Sequence, residues 1–133
     1  MALPKIFEGQ TILLVDDEPD NLKLAKIILS ASGGVIVTAE NGQEALDLLS
    51  TLHHPPAFIL LDLSMPKLDG WQCLIHLKAH PVWASIPTIA FTAHAMMGDE
   101  DKVMQHGFNG YISKPIKAQT FVKQILDILD IIR

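Results

Sequence analysis

The stretch Thr11-Ile12-Leu13-Leu14-Val15-Asp16-Asp17-Glu18-Pro19 decides how the chain is read. An apolar run of strand length stops at three consecutive acids, and Pro19, a residue favoured in the first turn of a helix, follows at once. Runs of the same kind recur at residues 35–39, 57–61, 88–91 and 110–112. They are continuous rather than alternating, which points to a sheet buried on both faces. Between them, residues 19–32, 42–52, 70–80, 97–106 and 117–132 carry helical spacing.

Boundary chemistry agrees with that division. Asn41 precedes a helix with Glu44 three residues on, a capping-box-like start. Gly33 and Gly107 stand where helices should stop. His80 closes the third helix ahead of Pro81, where a polar or cationic group is favourable. Strand and helix alternate five times, so the expected fold is α/β: a five-stranded parallel sheet with right-handed crossovers and helices on both faces.

The 133 residues suit one domain over residues 11–133 after a short lead, residues 1–10. At 49% hydrophobic, the chain can bury a core. A formal charge of −5 argues against non-specific nucleic-acid binding, which needs a basic face. Cys73 is the one cysteine, so no internal disulfide exists and a reducing compartment is the default. The lead has no apolar core of a signal peptide, and no run approaches a membrane span, so a cytoplasmic protein is expected.

The informative residues follow the strands. Asp16, Asp17 and Glu18 come after the first, Asp62 after the third, Thr92 at the end of the fourth, and Ser113-Lys114-Pro115 after the fifth. In a parallel α/β sheet ligands bind beyond the carboxyl ends of the strands, so these groups should converge. One Asp, Thr or Lys after a strand is ordinarily a cap or turn residue. The joint pattern on four strands is hard to produce by structural need alone. Carboxylates crowded together repel unless a cation compensates, and Mg²⁺, a hard ion that takes oxygen ligands, is the natural candidate. With Lys114 as a second positive charge, the pocket could receive a phosphoryl group on Asp62, since carboxylates serve as covalent phosphoryl acceptors.

Leu14-Val15-Asp16-Asp17-Glu18, Leu60-Leu61-Asp62, Met65-Pro66 with Asp69-Gly70, Thr92-Ala93 and Tyr111-Ile112-Ser113-Lys114-Pro115 resemble the receiver domains of two-component signalling, in order and spacing over essentially the whole chain. The resemblance implies a flavodoxin-like (βα)₅ fold and a phosphorylation switch. It implies that Asp62 is the phosphoacceptor, Asp17 a direct Mg²⁺ ligand, Asp16 an acid acting through water, and Ser64 the donor of a metal-binding backbone carbonyl. Thr92 and Lys114 would hold the phosphoryl oxygens, Tyr111 would be the aromatic switch, and the Lys114–Pro115 bond would be cis. Ser64 and His94 would occupy the two variable positions that tune the lifetime of the phosphoryl group.

The implied partners are a sensor histidine kinase or a histidine phosphotransfer protein. The output would be protein contact through the fourth helix, fifth strand and fifth helix, with a homodimer also in view. The opening Met1, and an end about one helix beyond Pro115, suggest a stand-alone regulator; the alternative is a receiver excised from a hybrid kinase. A phosphatase of the haloacid dehalogenase kind is a rival, but it wants Asp-x-Asp where this chain has adjacent Asp16 and Asp17. A flavodoxin-like binder of flavin or nucleotide is another, and Asp16-Asp17-Glu18 would repel its phosphate unless a metal intervened.

Some residues point elsewhere. His76 and His80 lie four apart, a spacing that can bind metal, but without further ligands they read as a solvated helix face. Cys73 should pack as a small hydrophobe, and Met96, Met97 and Met104 should make core or interface contacts. In the last helix Phe121, Ile125, Ile128 and Ile132 should face the sheet. Val122, Leu126 and Leu129 form a flanking stripe, either a docking surface or a widening of the core.

Overall fold

The computed structural model describes residues 5–93 and 99–132. Five parallel strands, β1 (Thr11–Val15), β2 (Val35–Ala39), β3 (Phe58–Asp62), β4 (Thr88–Thr92) and β5 (Gly110–Ser113), form one sheet in the order β2-β1-β3-β4-β5. The helices are α1 (Pro19–Ala31), α2 (Gly42–Thr51), α3 (Gly70–Ala79), α4 (Asp99–Gln105) and α5 (Phe121–Ile132), with a short 3₁₀ turn at Trp83–Ser85 that the sequence did not announce. The expected start of the fourth helix at Met97 lies outside the described residues, as do His94 and Met96.

Strand periodicity sorts the apolar residues into two cores. Leu13, Val15, Ile59, Leu61 and Ala90 point to one face, where Ala45, Leu49, Cys73, Leu74 and Leu77 of α2 and α3 and Val103 of α4 cover them. Ile12, Leu14, Phe58, Leu60, Ile89 and Phe91 point to the other, covered by Ala25 and Leu29 of α1 and by Phe121, Ile125 and Leu129 of α5. The expectation of full burial fails at β2, an edge strand on which Ala39 alone is fully buried and Val35 is exposed. Its Val-Ile-Val-Thr-Ala composition matches that of a central strand, so position in the sheet, not composition, sets the difference.

Helix ends follow local chemistry. Gly33 and Gly107 adopt φ of +90° and +108°, the left-handed conformation that ends α1 and α4. The Asn41 side chain accepts from Glu44 N–H at 2.8 Å, while a complete capping box sits at Asp69 and Gln72 on α3. Helix α5 begins at Phe121, not 117, because residues 117–120 form a turn in which Phe121 N–H donates to Lys117 C=O.

Three further expectations are revised. Leu129, expected on the flank, is buried, so α5 faces the sheet through Phe121, Ile125, Leu129 and the half-buried Ile128, which packs on Gly110 of β5; Val122 and Leu126 pack half-buried beside them. Gly110, without a side chain, leaves the space that Ile128 fills, so both residues of the pair face the sheet. The flank therefore widens the core, and the side chain of Ile132 lies outside those described. His80 is no solvated surface group: its Nδ1 accepts from the Val82 and Trp83 N–H groups at 3.1 and 3.2 Å, and its ring stacks on Trp83 at 3.8 Å. Met104 is exposed.

The lead also packs. Phe7 is 2% exposed and meets Phe58 edge-on at 5.4 Å, and its N–H donates to Ser32 C=O. Replacing Phe7 with Ala should therefore cost about 3 kcal/mol, whereas Ile27→Ala, at an exposed site on α1, should cost well under about 1 kcal/mol; urea denaturation of the two variants measures the contrast.

Candidate functional site

Register alone brings the acids together. Val15 pairs with Leu61, so the next residues, Asp16 and Asp62, emerge side by side at the carboxyl ends of β1 and β3. This is the point where strand order reverses, since β1 leads outward to β2 and β3 leads to β4 and β5. Both carboxylates are buried, at 1% and 4% exposed, while Asp17 turns to solvent. Asp16 Oδ1 is fixed by the Glu18 N–H at 2.9 Å, and Asp62 Oδ1 accepts from the Ser64 N–H at 3.3 Å.

Lys114 closes the group from β5. Its Nζ lies 2.8 Å from Asp16 Oδ2 and 3.4 Å from Asp62 Oδ2, while its stem passes over Phe91 with Nζ 5.0 Å from the ring centroid. The Lys114 N–H donates to Thr92 C=O at 2.8 Å, and the Lys114–Pro115 peptide bond is cis. A cleft of about 440 Å³ opens over the acids, lined among others by Asp17, Asp62, Ser64, Thr92, Lys114 and Pro115. Glu18, Asn21 and Ala93 also line it. The sequence reading gave Glu18 and Ala93 no role of their own and passed over Asn21, whose signal is its place in the first turn of the helix that follows the acids.

The loop after β3 shapes the rim. Lys67 takes a left-handed φ of +65° there, turning the chain so that Gly70, at the start of α3, rests on the Asp62 carbonyl with no room for a Cβ. Thr92 is buried at the end of β4, and Tyr111 is half-buried. The pairings Ala90–Tyr111 and Thr92–Ser113 put Thr92 and Tyr111 on the same sheet face by alternation. Tyr111 packs against the α2–α3 core and does not line the cleft.

Among the described residues, Asp16, Asp17 and Asp62 form the one group of three acids, His or Cys able to converge on an ion; one oxygen from each lies within 4.8 Å of the others. Asp16 Oδ2 is buried without a hydrogen bond, its contact being the Lys114 ammonium. An all-oxygen set of this kind suits a hard divalent cation. Burial, and then the Asp16 charge, push the Asp62 carboxyl up from 3.8 to about 7, against the pull of Lys114 and the Ser64 N–H.

Fold and cleft together define a class: a doubly wound α/β domain with an acidic, lysine-closed pocket at its switch point. Residues 12–126 match the response regulator receiver domain, and the chain belongs to that family, the phosphoacceptor switches of two-component signalling. It is 39% identical over 116 residues to the polar-differentiation response regulator DivK of Brucella anthropi, covering 87% of this chain and 93% of that protein. The receiver domain of a sensor histidine kinase from Pseudomonas aeruginosa, solved with a magnesium ion coordinated in its active-site cleft, superposes with a TM-score of 0.78 at 32% identity, covering 90% of this chain and 95% of that one. The receiver domain of a signal transduction histidine kinase from Syntrophus aciditrophicus gives 0.79 at 30% identity, covering 92% and 91%. No helix among the described residues is long and apolar enough to cross a membrane.

The raised carboxyl has a consequence for stability. Between about pH 4 and 7 the folded protein keeps a proton on Asp62 that the unfolded chain has released, so stability falls as pH rises through that window. Three units correspond to an upper bound of roughly 4 kcal/mol. In EDTA at pH 8, Asp62→Asn should thus be more stable than the wild type, and the difference should shrink toward pH 4. Thermal melts across that range check the sign.

Proposed function

We propose that Asp62 accepts the phosphoryl group in a Mg²⁺-dependent reaction, taking it from the phosphohistidine of a sensor histidine kinase or a histidine phosphotransfer protein. The carrying observation is the Lys114 ammonium held between the buried Asp16 and Asp62 carboxylates. Asp16, Asp17, Asp62 and the Ser64 backbone carbonyl would hold Mg²⁺, as the magnesium-bound relative from Pseudomonas aeruginosa makes reasonable. The ion would neutralise carboxylate charge and draw phosphoryl oxygens into the cleft.

The protein's own groups do the rest. An Asp62 oxygen attacks phosphorus, the new O–P bond forms, and the P–N bond to the donor imidazole breaks with its electron pair leaving on nitrogen. Lys114 pairs with one phosphoryl oxygen and the Thr92 hydroxyl turns to another. Tyr111, on the same sheet face as Thr92, moves into the space the hydroxyl leaves, and the population shifts toward a form with an altered α4–β5–α5 surface. That surface contacts the downstream protein and is where a second copy would pair. The protein acts as a cytoplasmic signalling switch that assists its own phosphorylation and dephosphorylation rather than turning over a separate substrate.

Acetyl phosphate with Mg²⁺ should add one phosphoryl group, seen by intact mass, and EDTA should prevent it. Asp62→Asn should abolish the reaction, because an amide is a poor nucleophile and a poor ligand; undiminished labelling of that variant would overturn the assignment. Thr92→Ala should still take the label but leave the Tyr111 NMR signals unmoved, whereas a shift equal to the wild type's would break the proposed link between them.

A further inference from the structure

A second cleft joins the first. It has a volume of about 360 Å³ and is lined by Leu63, Ser64, Met65, Asp69, Trp71, Thr92 and Lys102. Ser64 and Thr92 line both clefts, so this one opens directly beside the acceptor carboxylate. Its walls are built differently from the acidic pocket. Leu63, Met65 and the Trp71 indole supply apolar surface, and Lys102 supplies a cation. The indole is held from several sides: His106 meets it edge-on at 4.7 Å, Phe108 at 5.8 Å, and Lys102 Nζ stands 5.3 Å from the ring centroid. His106 is itself anchored, its Nδ1 lying 2.8 Å from Lys102 C=O. Asp69, the one acid among the described lining residues, is engaged by the Gln72 N–H at 2.9 Å as the cap of α3.

A held aromatic plate beside a lysine, in a lining that mixes apolar and polar side chains, can take a flat anion with an apolar ring. We infer that this cleft is a specificity site for the leaving group of small acyl phosphate donors, favouring aromatic or apolar acyl groups over acetyl, with Trp71 and Lys102 as the discriminating residues. The inference rests on Asp62 as acceptor and adds the donor class. In the step itself an Asp62 oxygen bonds to phosphorus and the P–O bond to the acyl oxygen breaks. The carboxylate leaves with the bonding pair, needing no proton. Lys102 faces the charge that develops on it, while the ring lies along Trp71. Acetate has no ring to lay against the indole.

Two measurements test it. Benzoate titrated into the wild-type protein should shift the Trp71 indole NMR signal saturably, acetate should not, and Lys102→Gln should weaken the benzoate effect severalfold. This reads the cleft without any phosphoryl transfer. Labelling rates with benzoyl phosphate and acetyl phosphate then give a ratio, which Trp71→Ala should lower on the order of tenfold and Trp71→Phe should largely preserve. An indole signal indifferent to benzoate, or a ratio unchanged in Trp71→Ala, overturns the inference. If Trp71→Ala does not fold, the Phe variant and the titration decide. If neither donor labels the wild type, the acceptor reading fails, and the benzoate titration still judges the cleft.

Discussion

Two carboxylates that register forces side by side, buried and negative, are the constraint around which the rest of the domain is arranged. The β1–β3 pairing puts Asp16 beside Asp62 whatever else the chain does. Their mutual repulsion and lost hydration must be met by a cation that is always present, and Lys114 is that cation. It comes from β5, two strands beyond β3 in the sheet, so its stem has to cross the top of β4, where Phe91 gives it an aromatic surface to lie on. The order β2-β1-β3-β4-β5 and the buried phenylalanine on β4 are thus parts of one electrostatic arrangement.

That arrangement is incompletely balanced. One ammonium serves the two buried acids while Asp17 stands beside them, and the Asp62 carboxyl is pushed up to about 7. A site so poised responds strongly to one more positive ion or one added phosphoryl group, because either changes a charge balance that burial has amplified. Stability given up at rest becomes sensitivity to a signal.

Much of the fold was legible because this architecture writes itself locally. Each strand is a short apolar run, four of the five helices have a side-chain cap or a terminal glycine, and each functional residue ends or follows a strand, so Asp16, Asp17, Asp62, Thr92 and Lys114 could be gathered without coordinates. What escaped depends on contacts between distant segments. Val35 looks like a core residue until β2 is known to be an edge. Leu129 joins Ile128 against the sheet, where Gly110 leaves space for the Ile128 side chain. Phe7 gave no periodic signal, being a single aromatic in a short lead. His80 reads as surface until Trp83 folds back on it. The Trp71–Lys102 cleft joins residues 31 positions apart, which no spacing rule connects.

Cys73 lies between α2 and α3, 1% exposed, with its Sγ 3.9 Å from the Gly42 carbonyl and its thiol pushed up to about 12 by burial and the nearby Asp69. In the folded protein it is neither accessible nor a thiolate, so an alkylating reagent finds it only when the helices separate. As the chain has one cysteine, its rate of modification is a clock for that separation alone. The molecule carries its own reporter of how often the α2–α3 layer opens, readable in a mixture and without a label attached beforehand.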